Sequence, residues 1–64
     1  EVLNFAIDME AHARDTYQVM ASMVDNPAIK RFCNELAAEE ESHRKMLDQA
    51  RTSLAMDEED RPAL

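Results

Sequence analysis

Glycine is absent from this sequence, proline occurs only at Pro27 and Pro62, and the aromatic side chains are limited to Phe5, Tyr17 and Phe32. β-Branched residues are also sparse, so strands have little to be built from. What remains is rich in Ala, Glu, Met, Leu and Arg, a helix-forming composition. A single cysteine, Cys33, excludes a secreted disulfide framework and makes a reducing, cytoplasmic setting the default. No apolar run approaches the roughly 20 residues of a membrane span, and no signal-peptide pattern is present. Lys and Arg number 7 against 14 Asp and Glu, which leaves a formal charge of −7. That balance argues against nucleic acid and anionic membrane, both of which need a basic face, and is compatible with cations. With 64 residues there is room for one domain at most. Below roughly 70–80 residues a single core rarely stabilises a chain alone. The chain opens without Met on "EVLNFAIDM", already in helical register, which reads as a trimmed or processed end.

One stretch divides the sequence. In "VDNPAIK", Asp25 and Asn26 are N-cap candidates placed just before a proline at the first helical position. The expected organisation is helix 1 over about 2–24, a turn at 25–26 and helix 2 over about 27–54, together a helical hairpin spanning 1–55. The remainder, 56–64, is acidic and broken by Pro62, and is expected to be disordered. At about 100° per residue, helix 2 gathers Ile29, Phe32, Cys33, Leu36, Leu47, Ala50 and Leu54 into one sector. Helix 1 gathers Leu3, Ala6, Ile7, Ala13, Tyr17, Ala21 and Val24. A hairpin cannot cover its own apolar stripe. Two hairpins packed face to face make a four-helix bundle, so the fold class is all-α and a homodimer is the smallest sensible unit. The back of helix 1 carries a second apolar strip of Val2, Phe5, Met9, Val19 and Met23. It reads either as a wide core face or incidental exposed hydrophobes, or as an interface for an assembly larger than a dimer.

Charged residues interrupt both core stripes. Glu40 and His43 lie between Leu36 and Leu47, and Glu10 lies between Ile7 and Tyr17. An ionised carboxylate in an apolar interior must be neutralised, paired or bound to a metal. Arg14, one turn after Glu10, could pair with one of these carboxylates but not with all. Over a dimer, two copies each of Glu10, Glu40 and His43 bring together four carboxylates and two imidazoles. Two divalent cations balance that charge, with the histidines neutral as ligands must be. Glu and His three residues apart share a helix face and can reach one metal. A Glu from each of two helices with Glu-x-x-His from the other two is the di-metal carboxylate arrangement of four-helix bundles. Fe, Mn, Co and Zn all suit such oxygen and nitrogen donors, and the spacing does not choose among them.

These residues resemble the rubrerythrin-like and encapsulated-ferritin branch of the ferritin-like superfamily. "EAHARDTY", Glu10 to Tyr17, is similar to that branch's first-helix signature, a ligand Glu followed seven residues later by Tyr. "DNPAIKRFCNELAAEEESH" is similar to the turn and second helix leading to its Glu-x-x-His. The similarity covers about residues 4 to 50. It implies that Glu10, Glu40 and His43 are di-iron ligands, and that Tyr17 lies beside the site as a hydrogen-bond partner or redox neighbour. Rubrerythrins hold both halves of the bundle in one chain, whereas one hairpin, as here, matches encapsulated ferritins, whose site spans a dimer interface. Peroxide-reducing rubrerythrins usually add a domain with paired Cys-x-x-Cys knuckles, which one cysteine cannot supply. Encapsulated relatives typically end in a Gly- and Leu-containing shell-docking peptide, so the glycine-free tail gives an encapsulating shell no support.

The leading expectation is a di-iron ferroxidase with Glu10, Glu40, His43 and Tyr17 at its site, taking Fe²⁺ and O₂ or peroxide as substrates in iron storage or detoxification. A rubrerythrin-like peroxide reductase is the enzymatic alternative. A structural or interaction hairpin with a structural metal, or with none, is the alternative outside enzymes. Other residues read more plainly. His12 points away from Glu10 and is a surface or secondary-interface histidine. Glu39 is a solvated charge or a flanking carboxylate, and the methionines are gap fillers rather than haem ligands. Cys33 is a buried inert thiol. Asp57 to Asp60 solvate the tail, where an acidic patch raises the local cation concentration.

Overall fold

The structure, a computed structural model, describes residues 2–60, with side chains through Asp57. Two helices account for almost all of it: α1, Val2–Met23, and α2, Pro27–Asp60, with no strand among the described residues. The hairpin expected from the sequence is what forms. Asn26 is the N-cap of α2, its Oδ1 accepting from the backbone N–H of Ala28 at 2.9 Å and of Ile29 at 3.1 Å. Pro27 then occupies the first helical position, where its missing N–H has no partner to lose. The Lys30 N–H donates to the Asn26 carbonyl at 2.9 Å, which opens the helical ladder.

α2 continues to Asp60, beyond the end expected near Leu54, so the first part of the supposedly disordered tail is helical. Ala55, Met56, Glu58 and Glu59 are strong helix formers, and that propensity outweighs the local charge run. The rest of the expected tail, 61–64, lies outside the described residues.

The two helices meet through small side chains. Ala21, Cys33 and Ala37 are buried between them together with Ile7, and no other described residue is buried. Polar ties hold the register. Arg14 Nη1 donates to Glu41 Oε1 at 2.6 Å, and Arg51 Nη1 donates to Asn4 Oδ1 at 2.6 Å. Arg51 is itself anchored on Asp48 one turn back.

The molecule measures 60 × 15 × 10 Å. Its shortest dimension is about one helix diameter, so it is a single layer of two helices whose buried residues lie along the seam between them. Ile29, Phe32 and Leu54 on the core face of α2 are 49%, 59% and 53% exposed. The strip on the back of α1 is exposed as well, from Val2 and Phe5 to Met23. No described helix is long and apolar enough to cross a membrane.

Candidate metal centre

Glu10 stands near the middle of α1, and Glu40 and His43 lie one turn apart on α2 at the same level of the hairpin. Because α1 and α2 run antiparallel, the face of α1 that carries Glu10 meets the face of α2 that carries Glu-x-x-His. Each of the three offers one ligand atom, and these atoms lie within 4.8 Å of one another. Donors on a common metal at bond lengths of about 2.1 Å are separated by up to about 4.2 Å. The cluster is therefore wider than one coordination sphere and its side chains must draw together to share one ion.

The electrostatics of the cluster are unsettled without a cation. Glu10 Oε2 is buried with no hydrogen-bond partner. Its neighbour His43 Nδ1 is 3.7 Å away, too far for a hydrogen bond. The Glu40 carboxyl is pushed above its ordinary value, first by hydrogen bonding with Glu10, then by loss of water and by the charge of Glu10; His43 pulls the other way. Two carboxylates crowded in this way need a proton between them or a cation beside them. The donor set, two hard oxygens and an imidazole nitrogen, suits a first-row divalent metal. In a single chain the site is not dry: the His43 side chain is 54% exposed and that of Glu10 27%. The exposed side of the cluster opens onto the same uncovered face as Ile29 and Leu54.

Tyr17 is half-buried on α1, two turns beyond Glu10 and so about 10 Å further along the axis. Glu39 and His12 are exposed, and His12 lies on the other side of α1, against Thr16 and Val19. Cys33 is buried and free.

Arg14 does not turn to Glu10. A rotation of about 40° around α1 separates them, which is enough to carry the guanidinium over to the far groove of the hairpin. There it binds Glu41, while Arg44 grips the same carboxylate through Nε at 2.9 Å and Nη2 at 3.0 Å. This Arg14–Glu41–Arg44 clamp was not anticipated from the sequence, although Glu41 and Arg44 at i and i+3 were a signal for half of it. The clamp holds the Glu41 carboxyl at about 2, chiefly through its hydrogen bonds from Arg44 and Arg14. A carboxylate held below its unfolded value stabilises the fold above that value and loses its contribution as pH falls. Acid titration of the melting temperature is therefore expected to show a loss between about pH 4.5 and 2 that Glu41→Gln, already unable to ionise, does not share. Parallel acid profiles for the two proteins would mean that the clamp carries no stability.

A helical hairpin with a Glu on one helix and Glu-x-x-His facing it from the other has the form of half a ferritin-like bundle. The family model for rubrerythrin matches residues 1–63, nearly the whole chain. The chain belongs to the rubrerythrin family, within the ferritin-like superfamily. No curated protein and no solved structure matches it significantly. Rubrerythrins typically bind iron and include oxidoreductases.

Proposed function

We propose that two copies of this chain pack their exposed faces together and form a di-iron ferroxidase site from Glu10, Glu40 and His43 of each. The observation that carries this reading is the convergence of the three side chains around a buried, unpartnered Glu10 oxygen, on a face too apolar to remain in water. Four carboxylates from two chains balance two Fe²⁺ ions. His43 offers Nδ1, which lies 3.7 Å from Glu10 Oε2. Iron held there supplies the redox chemistry: two Fe²⁺ give one electron each to peroxide, which with two protons leaves as two waters, or to O₂, which leaves as peroxide.

The protein's own part is placement. α1 and α2 fix the donors at one level, the apolar residues above and below exclude water once the second copy is seated, and Glu10 and Glu40 favour the more highly charged Fe³⁺. Tyr17 is the side chain on the same face able to donate a hydrogen bond toward the site. The setting is a reducing cytoplasm and the role is iron storage or detoxification, with Mn, Co or Zn as possible substitutes in the same donors.

Membership of the rubrerythrin family favours a second reading, peroxide reduction at the same site. Anaerobic loading with Fe²⁺ followed by a pulse of O₂ or of peroxide separates the two. A ferroxidase forms Fe³⁺ with O₂, and activity falls to the uncatalysed rate in Glu40→Ala and His43→Ala. Rapid oxidation by peroxide alone, with turnover when a reductant is supplied, selects the reductase. Bound iron that neither oxidant touches faster than free iron would leave only a structural metal.

A further inference from the structure

Both carboxylates of the cluster are followed by an arginine four residues later: Glu10 by Arg14 on α1, and Glu40 by Arg44 on α2. A carboxylate with a cationic side chain at i+4, in that order, is the favourable arrangement for an ion pair along a helix. Neither pair forms. Arg14 Nη1 donates to Glu41 Oε1 at 2.6 Å. Arg44 Nε donates to the same oxygen at 2.9 Å, and its Nη2 to Glu41 Oε2 at 3.0 Å. Arg14 also holds Asp15, through Nε at 2.9 Å. Glu10 Oε2 is meanwhile buried without a hydrogen-bond partner. One carboxylate has collected both guanidinium groups, and the two carboxylates of the cluster have neither.

We propose that Glu41 is a positioning residue of the metal site: by gathering Arg14 and Arg44 on the far side of the hairpin, it keeps both guanidinium groups off Glu10 and Glu40 and leaves those carboxylates open to a cation. The role rests on the metal-site reading above and adds to it what guards the donors. Arg14 and Arg44 together carry the charge of one divalent ion, which is the charge that Glu10 and Glu40 need. Paired along their own helices, the two arginines would satisfy the cluster without a metal and occupy its donor atoms. Glu41 holds them because it accepts from both at once. Arg44 meets it as a two-pronged fork, and Arg14 reaches it across the seam between the helices. The contacts are partly shielded from water, the Arg14 and Arg44 side chains being 26% exposed and that of Glu41 30%. Glu41 acts through the two arginines and does not itself bind the ion.

Co²⁺ titration of the full chain, read by visible absorption with helicity checked by circular dichroism, separates this role from mere fastening of the helices. Glu41→Ala frees both arginines and is expected to weaken Co²⁺ binding roughly three- to tenfold, the effect of one or two partly shielded ion pairs. Adding Arg14→Gln and Arg44→Gln removes the competing groups. The triple variant is expected to bind Co²⁺ at least as tightly as wild type, although its clamp is gone. Asn4→Ala, which breaks the tie to Arg51 between the same helices, controls for lost stability and is expected to leave the affinity unchanged. Glu41→Gln keeps an acceptor without the charge, falls between wild type and Glu41→Ala, and replaces the alanine variant if that does not fold. In a crystal structure of the metal-free Glu41 variant, Arg14 is expected on Glu10 or Arg44 on Glu40. Wild-type affinity in Glu41→Ala, a triple variant as weak as Glu41→Ala, an equal loss in Asn4→Ala, or arginines that stay off both carboxylates overturns the proposal and leaves the metal site standing. Wild-type protein that binds no Co²⁺ overturns the metal-site reading instead, and the crystal structure still decides where the freed arginines go.

Discussion

Under anaerobic conditions, Fe²⁺ at about a hundred times its dissociation constant is expected to raise the melting temperature by roughly 10–20 °C. The gain saturates at one metal per chain. An ion that binds only the folded state stabilises it by about 2.7 kcal/mol at that excess. For a domain of this size each kcal/mol moves the midpoint by about 4–8 °C. The response is large because the apo cluster is poorly satisfied: a buried Glu10 oxygen has no partner, and Glu40 is crowded against it. Glu40→Ala and His43→Ala abolish the response, and Glu40→Ala leaves the apo protein no less stable, since it relieves that crowding. Co²⁺ and Zn²⁺ stabilise in the same way, which separates binding from iron oxidation. A melting point indifferent to all three metals would favour a hairpin without a metal site.

Leu47→Asp is expected to dissociate the proposed dimer. Leu47 is half-buried in one hairpin and by periodicity lies on the uncovered side one turn beyond His43, where the proposed second copy would complete its burial. A carboxylate there has no cation assigned to it and costs at least about 3 kcal/mol when dehydrated. A homodimer would carry the substitution twice, giving about 6 kcal/mol in all and about a 10⁴-fold loss of dimer affinity. The hairpin itself is expected to stay helical, because Leu47 is not among the residues fully buried between α1 and α2. Native mass should shift to monomer, far-ultraviolet circular dichroism should keep its helical form at low temperature, and iron oxidation should stop. Loss of helicity together with the dimer would show that the hairpin does not stand alone, and an intact dimer would show that this face is not the interface.

What the sequence made legible follows from periodicity. Asn26 and Pro27 announce the start of α2 through capping chemistry that operates within one turn, so no tertiary information is needed. Glu10, Glu40 and His43 stand out because they occupy apolar positions, and an antiparallel hairpin leaves little freedom in where they meet. Arg14 was harder. A small rotation decides whether its long side chain crosses to the Glu10 side or the Glu41 side, and helical periodicity does not weigh a second arginine already waiting on Glu41. The end of α2 was missed for a related reason. A run of acids suggests solvation, yet Glu is also a good helix former, and the helix carries on to Asp60.

Native mass measured during anaerobic Fe²⁺ titration addresses the shared site most directly. A dimer that takes up two irons and no more, with both lost together in Glu10→Ala, is expected. Iron held at full affinity by a monomer, or a dimer whose mass does not change when iron is added, would contradict it.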